Sequence, residues 1–141
     1  MICTSIEQSK HLLELGLPIH TADMFWSYHE RWYSEGDEWE GFEDYPTAEP
    51  YHEYTREPRE WMKPKKDIPC WSVTALLGMM PREIMYHGKT CDFIMEKNPD
   101  NKYAISYSSS DGATYTVYKD LIDSAYEMIV WLVENKKSLL I

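Results

Sequence analysis

The stretch Asp67–Pro81, DIPCWSVTALLGMMP, constrains the fold more than any other part of the chain. Ile68 precedes a proline and is therefore driven out of the helical region into an extended conformation. Ser72 can then cap a helix by accepting a backbone N–H. Val73, Leu76, Leu77 and Met80 follow at i, i+3, i+4 and i+7, one face of a short helix. Pro81 forbids its continuation. Trp71 stands just before the cap, placed to pack over the first turn. Cys70 lies beside the start of that helix, where a thiol is more readily ionised. A nucleophilic role would also need a His or Asp partner, and the sequence fixes none. The apolar periodicity favours a core helix instead.

On the N-terminal side of this boundary the chain is acidic, aromatic and rich in proline. Residues 25–61 carry eleven acids against three bases, a net of −8 out of −10 for the whole chain. The same window holds eleven aromatic residues, and five of the eight prolines lie between positions 46 and 69. Prolines at that density exclude a long helix or a central strand, so a long loop is expected over about 35–66. Acidic disordered segments are poor in aromatics. This one is rich in them, which predicts rings packed onto the body and carboxylates left in water.

On the C-terminal side the pattern is regular. Ile84 and Tyr86, then Cys91, Phe93 and Met95, then Tyr103, Ile105 and Tyr107, then Ala113, Tyr115 and Val117 alternate with the other face of each strand. Asn98-Pro99-Asp100 and Ser110-Asp111-Gly112 are turns. Consecutive strands joined by short loops make an antiparallel meander, over about 83–118. Asp120 is placed to cap the strongest helix, about 120–135, with Leu121, Ile122, Ala125, Met128, Ile129, Leu132 and Val133 on its stripe. Tyr126, Val130 and Trp131 widen that stripe, which implies cover on more than one side. The tail from Ser138 to Ile141 is placed to fold back on the body or to meet a second chain. Near the N-terminus, Thr4 and Glu7 have capping-box spacing and Gly16 is a helix terminator, predicting a helix over about 5–15. Thr21 is expected to cap a second short helix through Met24, Phe25 and Tyr28.

These elements predict one α+β domain over residues 1–141: a small antiparallel meander with the helices at about 5–15, 72–80 and 120–135 packed on it. At 141 residues the chain can bury a core. A formal charge of −10 excludes duplex DNA or an anionic membrane as a direct ligand, because both require basic residues. Three cysteines, Cys3, Cys70 and Cys91, give no disulfide framework and suit a reducing cytoplasm. No signal peptide or membrane span is expected.

No phosphate-binding glycine loop, nucleophile elbow or HExxH occurs. His29-Glu30 and His52-Glu53 are adjacent pairs, but sequence neighbours point in different directions, so no metal site and no cofactor are expected. The sequence points to a protein without enzyme activity. Its candidate binding residues are Glu38, Trp39, Glu40, Glu43, Asp44, Tyr45, Tyr51 and Tyr54. Exposed rings among carboxylates suit a basic protein partner, with rings as anchors and acids as steering charges. The alternative use of the same rings is to stack on a sugar or another flat neutral ligand.

The segments EQSKHLLELGLP (7–18), TADMFW (21–26), IPCWSVTALLGMMP (68–81) and AYEMIVWLVENK (125–136), in that order, resemble a family of small uncharacterised proteins of gut bacteria and their phages and mobile elements. The resemblance spans most of the chain apart from the acidic window, residues 35–66. It implies a cytoplasmic bacterial or phage accessory protein, and it transfers no activity, cofactor or catalytic residue.

Overall fold

The structure is a computed structural model that describes residues 2–34, 37–48 and 67–141, with the backbone alone for 29–34 and 37–40. The chain divides into two compact units, Cys3–Ser72 and Val73–Ile141. Helices and antiparallel sheets make it the α+β fold expected from the sequence.

In the first unit, α1 (Ile6–Glu14) is followed by a single 3₁₀ turn, Ile19–Thr21. The capping box falls one residue later than expected. Ser5 accepts from Gln8 N at 3.1 Å, and Gln8 returns its side chain to Ser5 N at 2.9 Å. Thr4 is unavailable because its hydroxyl accepts from Trp71 N and lies 2.8 Å from Ser9 Oγ. Gly16, at φ +96°, ends the helix with Gly16 N and Leu17 N bonded to Leu13 O and Leu12 O. That left-handed turn is where glycine carries no steric penalty.

The short helix expected after Thr21 is a strand. β1 (Met24–Trp26) pairs antiparallel with β4 (Ile68–Cys70), setting Met24 opposite Cys70 and Trp26 opposite Ile68. All six residues of the two strands are buried, so neither strand carries an alternating pattern. Cys3, Met24, Trp26, Ile68 and Cys70 form one apolar cluster, with Ile6 and Phe42 packed against it. β2 (Tyr28–Ser34) and β3 (Asp37–Phe42) make a separate antiparallel hairpin with an irregular register between His29 and Trp32. The loop expected over about 35–66 is thus a strand in its first part. The reason is visible in the chain: its prolines start only at Pro46, and Trp39 and Phe42 favour an extended backbone.

The second unit starts with α2 (Val73–Met79), whose buried residues are Leu76 and Met79. The meander follows as β5 (Glu83–Tyr86), β6 (Lys89–Lys97), β7 (Tyr103–Ser108) and β8 (Thr114–Lys119), in spatial order β5-β6-β7-β8. Each hairpin has turn chemistry matched to its loop. His87 and Gly88 both have positive φ, +52° and +73°, as a two-residue hairpin turn requires. The β6–β7 loop closes with Asn98 N on Lys102 O, and the β7–β8 loop with Ser109 N on Ala113 O. Each places a left-handed residue last, Asn101 and Gly112.

α3 (Leu121–Glu134) packs on β7 and β8, and α2 packs on α3. Its stripe is buried as expected at Ile122, Ala125, Met128, Ile129 and Leu132. Asp120 occupies the N-cap position, but its side chain makes no capping bond. Ser124 fixes the entry instead: its hydroxyl accepts from Lys119 N and donates to Tyr103 O, each at 2.8 Å. The helix ends with Lys137 N on Leu132 O and Lys136 N on Val133 O. The tail then folds back, donating from Leu140 N to Met79 O at 2.9 Å.

Two buried residues test this packing. Leu132 is fully buried, and Leu132→Ala is expected to cost roughly 2–5 kcal/mol, read as a lowered denaturation midpoint. A midpoint close to that of the parent would show that α3 is not central. Tyr107 is also fully buried and donates its hydroxyl to Pro81 O at 2.6 Å. Burial raises its phenol pKa, so the neutral form belongs to the fold. The stability that it contributes is complete below the ordinary tyrosine pKa of about 10 and is lost as pH rises above it. Tyr107→Phe is expected to cost about 1 kcal/mol at neutral pH and to flatten the alkaline fall in stability, measured by denaturant titration at stepped pH.

Candidate functional site

The eight residues singled out in the sequence fall into three groups. Glu43, Asp44 and Tyr45 stand together on the turn that leaves β3. Glu38, Trp39 and Glu40 are on β3 itself, where the register sets Trp39 opposite Trp32 and Glu38 opposite Tyr33. Tyr51 and Tyr54 lie outside the described residues, as does the His52-Glu53 pair.

The turn is held at both ends. Glu43 N donates to Ser27 O at 2.9 Å. Beyond the turn, Phe25 and Thr47 exchange both backbone bonds, at 3.1 and 2.8 Å, forming an antiparallel bridge. Phe42 anchors the approach, meeting Tyr28 edge-on at 5.0 Å between ring centroids. Tyr28 N in turn donates to the carboxylate of Asp67, a buried residue, at 2.7 Å. Between these fixed points Asp44 is exposed and Tyr45 has 70% of its surface in solvent. A large ring is thus presented outward on a turn whose backbone is fixed, next to two carboxylates.

A second acidic and aromatic surface lies in the second unit, where only a broadened apolar stripe hints at it. Tyr126, Val130 and Trp131 widen the stripe of α3 beyond its buried side. With Tyr115 of β8, Glu127 and Glu134 they line an open groove of about 280 Å³. The Trp131 ring stacks on Tyr115 at 4.1 Å and 13°, and Tyr86 meets Trp131 edge-on at 5.3 Å and 82°. The Tyr115 and Tyr126 phenols are both held above their ordinary pKa, by burial first and then by the charges of Glu127 and Glu134. Lys119 donates to Glu127 Oε1.

Cys70 is unsuited to nucleophilic work. Its side chain is fully buried in the first unit. The hydrogen bond that it shares with Cys3 raises its thiol pKa, burial raises it further, and the charges of Cys3 and Asp23 add to the effect. Each of these disfavours the thiolate that would attack. Among the described residues no three His, Cys, Asp or Glu side chains come together as a metal site. Among the same residues no helix is long and apolar enough to cross a membrane.

Comparison with known proteins finds no matching family model, no matching curated protein and no matching solved structure.

The burial of Cys70 has a direct consequence. With the chain folded at neutral pH, Cys70 should resist alkylation by iodoacetamide and react once denaturant unfolds the first unit, as followed by peptide mass spectrometry. Rapid modification of Cys70 in the native state would contradict the buried, protonated thiol.

Proposed function

We propose that this protein is a non-enzymatic accessory module that presents an acidic aromatic surface, Glu38–Tyr45, to a basic protein partner. The observation that carries the reading is the turn after β3. Its backbone is fixed to Ser27 on one side and bridged to Phe25 through Thr47 on the other, while Tyr45 and Asp44 face solvent. An aromatic side chain offered on a preformed backbone loses little freedom on binding, which is what makes an effective anchor. Adjacent carboxylates raise the encounter rate with a basic surface and discourage acidic ones. The resemblance in residues 7–18, 21–26, 68–81 and 125–136 supports placing the module in the cytoplasm of a bacterium or as a phage product. The net charge supports a protein partner rather than nucleic acid or membrane.

The experiment combines affinity purification from the native host with a charge-neutralised variant, Glu38→Gln, Glu40→Gln, Glu43→Gln and Asp44→Asn together. The captured partner should be basic. Its association rate should fall by about tenfold or more in the variant at low salt. The parent's rate should fall similarly as ionic strength rises and the Debye length contracts to about 8 Å. A captured ligand whose binding ignores both salt and the quadruple change would instead indicate a neutral, ring-stacking ligand such as a sugar. A variant that keeps every partner at the parental rate would reduce the acids to a solubilising face.

A further inference from the structure

The groove on α3 has a composition that selects its occupant. Trp131 lies four residues after Glu127 and three before Glu134, so the three share one helix face with the indole between the carboxylates. Tyr115 lies parallel to the indole and Tyr86 meets it edge-on, so the ring is fixed from two directions. The carboxylate charges reach into the groove, since they help to hold the Tyr115 and Tyr126 phenols protonated. One cation of the chain already meets a lining acid, the Lys119 ammonium on Glu127, while Glu134 is exposed. The groove is therefore aromatic and negative. It repels anions, and its volume of about 280 Å³ leaves room for a long cationic side chain.

We infer that this groove seats an arginine side chain, in the setting of the proposed partner one belonging to that basic protein. A guanidinium is planar, weakly hydrated and stacks on aromatic faces, and its fork of donors matches a carboxylate. An ammonium is a compact, strongly hydrated point charge that gains less from a flat aromatic wall. A quaternary ammonium has no N–H to offer the Glu134 carboxylate. Glu134 is the exposed acid of the pair, and Glu127 shares its charge with Lys119.

The test uses the full chain and a small probe, N-acetyl-arginine-methylamide, titrated against ¹⁵N-labelled protein. The reporter is the Trp131 indole N–H resonance, assigned by its absence in Trp131→Phe. Saturable binding is expected at about millimolar affinity, the range for a single side chain. The citrulline counterpart has nearly the same shape and no charge, and it should bind at least about tenfold more weakly, as loss of a charged hydrogen bond implies. Glu134→Gln should weaken the arginine probe, and Lys119→Gln should strengthen it by removing the competing cation. Equal binding of the arginine and citrulline probes would overturn the inference in favour of a plain apolar slot. So would a Trp131 resonance that stays fixed up to the solubility limit, or a Lys119→Gln variant that binds no better. The titration needs no partner, so its failure leaves the acidic turn untouched. Conversely, loss of partner capture in the quadruple variant with an unchanged probe titration would separate the turn from the groove.

Discussion

The first unit depends on how Thr4 meets Trp71. The two residues share a backbone bond, Thr4 N to Trp71 O at 2.9 Å, and the Thr4 hydroxyl accepts from Trp71 N at 3.1 Å. The Thr4 carbonyl accepts from the Trp26 indole at 3.1 Å, and the Trp71 indole donates to Thr21 Oγ1 at 2.9 Å. One residue further, Ser72 donates both its N–H and its hydroxyl to Asp23. Thr4 and Trp71 are fully buried, where an unmade bond costs far more than a made one contributes. These bonds tie residues 3–4, 21–26 and 68–72 to each other. The 3₁₀ turn, β1 and β4 therefore have one mutually consistent arrangement. Asp67, at the start of β4, extends the same control to Tyr28, and so to the hairpin and the acidic turn.

That dependence explains which parts of the fold were legible in the sequence. The meander and α3 were readable because each element has one buried side, so burial imprints a period of two or of 3.6 on the residues. β1 and β4 are buried throughout, and Met24-Phe25-Trp26 carries no period at all. Its state is decided by Cys70, Pro69 and Ile68, more than forty positions away, which a local reading cannot weigh. Thr4 misleads locally for the same reason. Its capping spacing with Glu7 is genuine locally, but its hydroxyl is committed to Trp71. At Asp120 the roles were reversed: the expected capping side chain makes no bond, and Ser124, inside the helix, reaches back to join Lys119 and Tyr103.

The candidate surfaces divide along the same line. Glu43, Asp44 and Tyr45 were legible because a solvent-facing turn leaves its composition unaltered by packing. The hairpin that delivers them was not, because the prolines that mark a loop begin only at position 46, after its second strand. The groove on α3 left only a faint mark, the excess of Tyr126, Val130 and Trp131 over one stripe. The rings that meet its indole, Tyr86 and Tyr115, belong to strands in which they read as ordinary alternating residues. Only the register of the meander and the placement of α3 against β8 bring them to the same indole.

Acid and ring occur together on both surfaces, and the pairing has a physical logic. A carboxylate in water attracts over a distance set by salt, about 8 Å under physiological conditions, and holds weakly once contact is made. An aromatic face attracts only on contact, but there it displaces water and accepts a cation at its ring. Alone, the first gives encounter without residence and the second residence without guidance. Eight net negative charges within residues 25–61 are costly to gather, since like charges repel and oppose compaction. Placing the exposed Asp44 on a turn fixed at both ends keeps its share of that repulsion in high-dielectric solvent. Ordered backbone then carries the ring. The groove reverses the proportions: its rings are already stacked and partly dry, and its two acids lie at their margin. In the proposed reading, the same two side-chain chemistries therefore suit the turn to capturing a basic surface and the groove to discriminating among cations in contact.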